Sequence, residues 1–138
     1  MRKIFLDTNI ILDLIERDAT GFTIASFLYD SLLQEKKLLY CSPTTVAITY
    51  YYFEKFYRQK KKIKESMTEV FRHFNFTTEN HTIVKAVLAS KFSDVEDAIQ
   101  YFSAMESKAD VIITKNVFDY IQPNVEVLTP ELFIEIYL

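Results

Sequence analysis

Near its beginning the chain reads KIFLDTNIILD over residues 3–13, and two structural patterns meet within this stretch. Residues 3–6 are largely apolar and predict a short β-strand, whereas Ile10 and Ile11 begin the spacing of an amphipathic helix. Asp7 stands at the junction, where the predicted strand ends. Ligands of open parallel sheets bind outside the carboxyl ends of the strands, so this position is well placed for chemistry.

Two interpretations of Asp7 follow from this stretch alone. Burial of a lone carboxylate is unfavourable unless a cation or hydrogen bonds hold it, which favours a metal ligand. Asp7, Thr8 and Asn9 are also typical of residues that cap the N-terminus of a helix. The two interpretations have about equal support until other acidic residues are considered.

The rest of the chain alternates short apolar runs with longer helical patterns, which predicts βαβ units and a mostly parallel sheet. Strands are predicted at residues 3–6, 37–41, 74–77, 110–114 and 125–128. Helices are predicted at residues 8–16, 20–34, 43–56, 60–71, 80–90, 94–107 and 130–137. Ser42 and Ser93 are expected to cap the helices that follow them.

Composition excludes several classes of protein. The 138 residues, 49% of them hydrophobic and 25% charged, predict a single globular domain over residues 1–138. Gly21 is the only glycine, so neither a Walker loop nor a dinucleotide-binding fingerprint can be built. Cys41 is the only cysteine, which excludes a disulfide and a thiolate zinc cluster and suits a reducing compartment.

Hydropathy indicates where in the cell the protein is expected, and net charge indicates which classes of nucleic-acid-binding protein it can belong to. No segment resembles a signal peptide or a membrane span, so a cytoplasmic protein without a membrane partner is expected. The net charge of −3 argues against a generic nucleic-acid coat protein, which is normally basic. It does not argue against a nuclease, because a metal site itself requires clustered acidic residues.

Two later segments add acidic or polar residues to the same region of the predicted fold. In SDVEDAIQY, residues 93–101, Asp94 and Asp97 share one face of a helix, whereas Glu96 is expected to point away. Acids are also common in a first helical turn because they complement the helix dipole, and for Asp94 this explanation is the stronger one.

The second segment is DVIITKNVFDY, residues 110–120, in which an apolar strand ends and a polar loop follows. If this strand lies beside the first, Thr114, Asn116 and Asp119 arrive near Asp7. An ordinary turn is the alternative, because Asn and Asp are frequent in turns.

Together these segments resemble the PIN-domain family. The resemblance is carried by LDTN (6–9), SPTTVA (42–47), DVEDAIQY (94–101), ITKN (113–116) and DY (119–120), and it continues to LTPE (128–131). Residues 94–101 are the most specific and resemble a bacterial branch of the family. The implied fold is a Rossmann-like, three-layer α/β/α sandwich around a mostly parallel sheet of four to five strands.

The implied activity is that of an endoribonuclease dependent on Mg²⁺ or Mn²⁺, often the toxin of a VapC-type toxin–antitoxin pair. RNA would then be the substrate, and an antitoxin protein a possible partner.

By resemblance, Asp7 and Asp97 match the family's first acid and its helix acid, and Asp119 matches the last polar position better than Asn116 does. These matches predict Asp7, Asp97 and Asp119 as catalytic metal ligands. The supporting residues are Asn9, Asp94, Thr114 and Asn116.

The chain departs from the family pattern at Ile48, where the family usually has a glutamate. Glu54 lies too far along the same helix to replace it. Mg²⁺ needs only one or two carboxylates and keeps several waters, so Asp7 and Asp97, assisted by Asp119, could still hold one ion. The alternative is a degenerate, non-catalytic PIN-like module that binds RNA or a protein partner.

An aromatic block predicts an interface. Residues 50–53 read YYYF, and Phe56 and Tyr57 follow, so aromatic rings must point all round the helix. Part of the block is expected in the core and part against a partner subunit, since aromatic residues are enriched at interfaces. A homodimer is therefore expected.

Overall fold

The computed structural model describes residues 1–120 and 124–138. Within them, five strands form one sheet in the order β3-β2-β1-β4-β5, and every neighbouring pair is parallel. The strands are β1 (Lys3–Leu6), β2 (Leu38–Cys41), β3 (Phe74–Phe76), β4 (Val111–Ile113) and β5 (Glu126–Leu128). The parallel sheet expected from the sequence is confirmed.

The helices agree with their predicted bounds to within two residues at each end. They are α1 (Thr8–Ile15), α2 (Phe22–Gln34), α3 (Pro43–Glu54), α4 (Lys60–Phe71), α5 (His81–Ala89), α6 (Val95–Glu106) and α7 (Pro130–Tyr137). None of the helices in the described part of the chain is long and apolar enough to cross a membrane.

Three local predictions about these elements can be compared with the structure. Ser42 does cap α3, because its Oγ accepts a hydrogen bond from Thr45 N at 3.3 Å. Ser93 does not cap α6: Asp94 is the N-cap, and its Oδ1 accepts from Asp97 N at 3.0 Å. The polar stretch predicted as a loop after β4 contains a short 3₁₀ helix, Val117–Tyr120.

Helices cover both faces of the sheet, which confirms the three-layer sandwich. Alternate strand residues such as Ile4 and Leu6 pack in one apolar cluster with α1, α2, α4 and α7. The intervening residues, such as Phe5 and Ile112, face the opposite side and pack against α6 and Tyr120. The two clusters bury both faces, as expected for a parallel sheet.

The register of the sheet positions the candidate site. Leu6 of β1 pairs with Ile113 of β4, and the backbone N–H of Asp7 donates to Ile113 O at 3.0 Å. The residues that follow the two strands, Asp7 and Thr114, therefore emerge side by side at the carboxyl edge. Strand β4 therefore lies beside β1, as the predicted approach of Thr114 to Asp7 requires.

Candidate active site

The carboxylate of Asp7 is buried and held by neighbouring side chains. Asp7 is 4% exposed, and its Oδ2 accepts hydrogen bonds from Thr114 Oγ1 at 2.6 Å and Asn9 Nδ2 at 3.3 Å. Asp7 occupies the N-cap position of α1, yet its side chain makes no capping hydrogen bond. The capping interpretation of Asp7 is therefore wrong for its side chain, which is turned towards β4.

Burial raises the pKa of the Asp7 carboxyl, and hydrogen bonds led by the one from Thr114 partly oppose the rise. A carboxylate in this position is stabilised most effectively by an added positive charge, because the hydrogen bonds do not fully offset its desolvation. The environment of Asp7 is thus suited to a cation.

A short network orients the hydroxyl of Thr114. The backbone N–H of Asn116 donates to Thr114 Oγ1 at 3.0 Å, so the hydroxyl is free to direct its own hydrogen at Asp7. Asn9 Oδ1 accepts from Lys115 N at 3.2 Å, which ties the start of α1 to the end of β4. Asn116 therefore supports the site through its backbone, and its exposed side chain takes no part in this network.

Asp97 lies among other carboxylates. Its pKa is raised to about 7, first by burial and then by Asp94, Asp119 and Asp7, with Glu96 contributing least. Asp97 is partly exposed, so a solvated ion can reach it. Carboxylates that raise one another's pKa repel, and a bound cation would relieve that repulsion.

The two remaining acids that the sequence indicated lie at the surface. Asp119 is exposed in the 3₁₀ helix, and its backbone N–H donates to Asn116 O at 3.0 Å. Asp94 is exposed as well, and its carboxylate is engaged in capping α6. Both act on Asp97 through their charge, and neither is buried beside Asp7.

Sequence reasoning missed Glu96, which the fold brings beside Asp7. Its carboxylate is partly buried, and its Oε1 accepts a hydrogen bond from Gln100 Nε2 at 3.2 Å. Burial raises the pKa of Glu96, the Thr8 side chain lowers it, and the charge of Asp7 raises it further. The spacing of Glu96 and Gln100, four residues apart, indicates that they share one helix face but not that this face meets α1.

Tyr120 was missed too. Its side chain is 1% exposed, and it packs with Phe5 and Ile112. The hydroxyl faces the carboxylate of Asp7, but the two groups do not reach hydrogen-bond geometry, and no other described residue pairs with it. Burial, followed by the charges of Asp7 and Asp97, raises the pKa of this phenol.

Helix α3 brings hydroxyl groups to this edge of the sheet. Thr45 Oγ1 lies 2.9 Å from Thr8 Oγ1 and 3.2 Å from Ser42 Oγ. Ile48, one turn later, is partly exposed. Its side chain can supply no oxygen ligand, and Glu54 is the only acid within α3.

These residues fit a hydrated ion better than an all-protein metal cage. Among residues 1–120 and 124–138, no group of three or more His, Cys, Asp or Glu side chains is arranged to hold a metal ion. Mg²⁺ commonly takes one or two carboxylates and keeps several waters. Asp7 and Asp97 supply two carboxylates, and the Tyr120 hydroxyl is a buried donor available to a water or a phosphate oxygen.

Comparison with known proteins shows what the whole chain is similar to. A family model described as PIN domain matches residues 3–117, which include Asp7, Asp97 and Thr114. Ribonuclease VapC1 of Aquifex aeolicus (strain VF5) is 27% identical over 138 residues, with 96% of this chain and 94% of the relative covered.

The fold has a solved counterpart. A chain in the crystal structure of VapBC2 from Rickettsia felis, bound to a DNA fragment from its promoter, superposes with a TM-score of 0.68. The two chains are 16% identical, and the match covers 91% of this chain and 96% of the other. The family match spans the sheet from β1 to β4 and both strand ends that form the candidate site, so this chain belongs to the PIN-domain family.

Proposed function

We propose that this protein is an endoribonuclease that hydrolyses RNA phosphodiester bonds with Mg²⁺ or Mn²⁺. The observation that carries the proposal is the placement of two carboxylates, the buried Asp7 and the partly exposed Asp97, within electrostatic range at the carboxyl edge of the sheet. Membership of the PIN-domain family and the likeness to a relative named as a ribonuclease support the choice of reaction.

Each residue has a proposed role in this chemistry. Asp7 and Asp97 hold the ion, and Thr114 and Asn9 orient the Asp7 carboxylate through their hydrogen bonds. Asp119, exposed at the rim, assists by positioning a water or a second ion. Asp94 fixes the first turn of α6 and so the position of Asp97. When bound, the ion lowers the pKa of a water and neutralises charge on the phosphate.

Substitution of Asp97 tests the activity. Outer-shell partners of a metal already contribute 10–100-fold to affinity or activity. Because Asp97 is proposed to hold the ion directly, Asp97→Asn should reduce RNA cleavage by about a hundredfold or more. Cleavage of a labelled RNA in the presence of Mn²⁺ measures the effect. Glu106→Gln is the matched control, since it removes one charge about 14 Å further along the same helix.

Ile48 stands where the family usually has a glutamate, and the missing carboxylate favours a second candidate function. Because α3 offers no carboxylate near Asp7, the chain could be a PIN-like module that binds RNA or a protein without cutting. Such a module would keep its RNA affinity in Asp97→Asn and would show no Mn²⁺-dependent cleavage. Absence of Mn²⁺-dependent cleavage by the wild type, together with unchanged RNA affinity in the variant, would replace the nuclease proposal.

The biological setting proposed is that of a cytoplasmic toxin with a cognate antitoxin. The relative is named Ribonuclease VapC1, and the structural neighbour comes from a VapBC2 structure. The presence of a reading frame for a small DNA-binding protein next to this gene would support the assignment. A homodimer is proposed as well, because Tyr51 and Phe56 of the aromatic block are mostly exposed.

A further inference from the structure

We propose that Glu96 is a third carboxylate of the cation site and that Gln100 is its positioning residue. The inference deepens the proposed function and rests on it, since it requires that an ion bind between Asp7 and Asp97. It assigns a role to a residue that lies next to Asp97 in sequence but on a different face of α6.

The geometry around Gln100 places Glu96 at the start of α1. Gln100 is 1% exposed, and both ends of its amide are used: Oε1 accepts from Thr8 N at 3.2 Å, and Nε2 donates to Glu96 Oε1 at 3.2 Å. A buried amide with both ends bonded has little freedom to rotate. Gln100 therefore holds the Glu96 carboxylate against the residue that follows Asp7.

An independent observation indicates that a ligand belongs among these carboxylates. The Tyr120 hydroxyl is buried, lies close to Asp7, Asp97 and Glu96, and has no partner among the described residues. A buried donor without an acceptor is unfavourable by about 1–3 kcal/mol. A water or a phosphate oxygen held between the carboxylates would give this hydroxyl its acceptor.

The arrangement also indicates how Glu96 would act. Because the described residues do not bring three acids to a single point, Glu96 is assigned to the waters that a divalent ion retains. Its second oxygen, Oε2, is left for such a water when Oε1 is engaged by Gln100. Partners of this kind orient a metal's water shell and strengthen its binding.

Calorimetric titration of Mn²⁺ into the full chain tests the proposal. Glu96→Gln keeps the shape of the side chain and the acceptor for Gln100 but removes the charge. We expect the Mn²⁺ dissociation constant to rise by about tenfold, the low end of outer-shell effects. Glu106→Gln, about 15 Å further along α6, should bind Mn²⁺ like the wild type. Thermal unfolding without Mn²⁺ checks that every variant is folded.

A double-mutant cycle separates positioning from packing. Gln100→Met removes both hydrogen bonds at similar volume and should weaken Mn²⁺ binding in the wild-type background. If Gln100 acts through Glu96, the same substitution should cause no further loss in the Glu96→Gln background. An equal loss in both backgrounds would overturn the positioning role.

The outcomes distinguish this inference from the proposed function. If Asp97→Asn abolishes Mn²⁺ binding while Glu96→Gln binds like the wild type, the role of Glu96 is overturned and the metal-dependent nuclease stands. If the wild type binds no Mn²⁺, the proposed function fails, and the role of Glu96 fails with it.

Discussion

At the scale of single residues, the hydrogen bond from Thr114 to Asp7 is the contact on which the site most depends. It joins a fully buried hydroxyl to a carboxylate that is 4% exposed, at 2.6 Å. Hydrogen bonds to charged groups contribute about 1.5–3 kcal/mol, more than bonds between neutral groups do. The bond therefore stabilises both the fold and the ionised form of Asp7.

Thr114→Val should lower the free energy of unfolding by about 1.5–3 kcal/mol, because the variant leaves the Asp7 carboxylate without its shortest hydrogen bond. Urea unfolding at pH 7 measures the change. Thr114→Ser, which keeps the hydroxyl, is the control. Equal stability of the valine and serine variants would show that the bond contributes nothing.

The crowding of acids around Asp97 predicts a pH effect on stability. Its pKa is about 7 in the folded chain, against 3.8 for an isolated aspartate, so the folded state binds more protons than the unfolded state between these values. The contribution of Asp97 to stability is thus highest below pH 4 and falls as the pH rises through 7.

Asp97→Asn, which cannot ionise, should therefore raise the melting temperature of the metal-free protein at pH 8. Near pH 4 the effect should be much smaller, because Asp97 is then protonated in the folded chain and only about half ionised in the unfolded chain. Differential scanning calorimetry in the presence of a chelator measures both. A shift of the same size at the two pH values would contradict the raised pKa.

The sequence indicated the residues at the strand ends and Asp97, but it did not indicate Glu96 or Tyr120. Asp7 and Thr114 were predictable because adjacent parallel strands end at one edge. Glu96 was not, since helical spacing fixes the face on which a side chain lies but not the element that this face meets. Tyr120 was hidden for a different reason: an aromatic residue gives no sign in sequence that its hydroxyl is unpaired.

At the scale of elements, α6 is the helix that positions the acids. Its N-cap, Asp94, accepts a hydrogen bond from the backbone N–H of Asp97 at 3.0 Å. The interaction that caps α6 therefore also fixes the position of Asp97, the proposed metal ligand. Sequence patterning located α6 to within a residue at each end, because its apolar residues recur at helical spacing. The cap was misassigned to Ser93, since adjacent Ser and Asp are both good capping residues.

Asp94→Ala should destabilise the chain by about 0.5–2 kcal/mol, the usual effect of losing a cap, whereas Asp94→Asn should be close to neutral because it keeps an acceptor. Chemical unfolding of the two variants measures this difference. Should alanine and asparagine prove equally stable, Asp94 would have no capping role.

At the scale of the whole molecule, the strand order explains why the site lies where it does. From β1 the sheet grows one way through β2 and β3 and the other way through β4 and β5. Open α/β sheets bind ligands where the strand order reverses in this way, here between β1 and β4. All five strands were predictable from the sequence. Their order depends on long-range packing, so the sequence analysis could only assume that β4 lies beside β1.

The ring and the hydroxyl of the buried Tyr120 contribute differently to the stability of the fold. A phenylalanine would fill the same space against Phe5 and Ile112, so Tyr120→Phe is expected to leave this packing unchanged. Among the described residues the hydroxyl has no partner, so its removal should leave the resting fold at least as stable. Any loss caused by Tyr120→Phe is therefore expected in the proposed cleavage of RNA and not in folding.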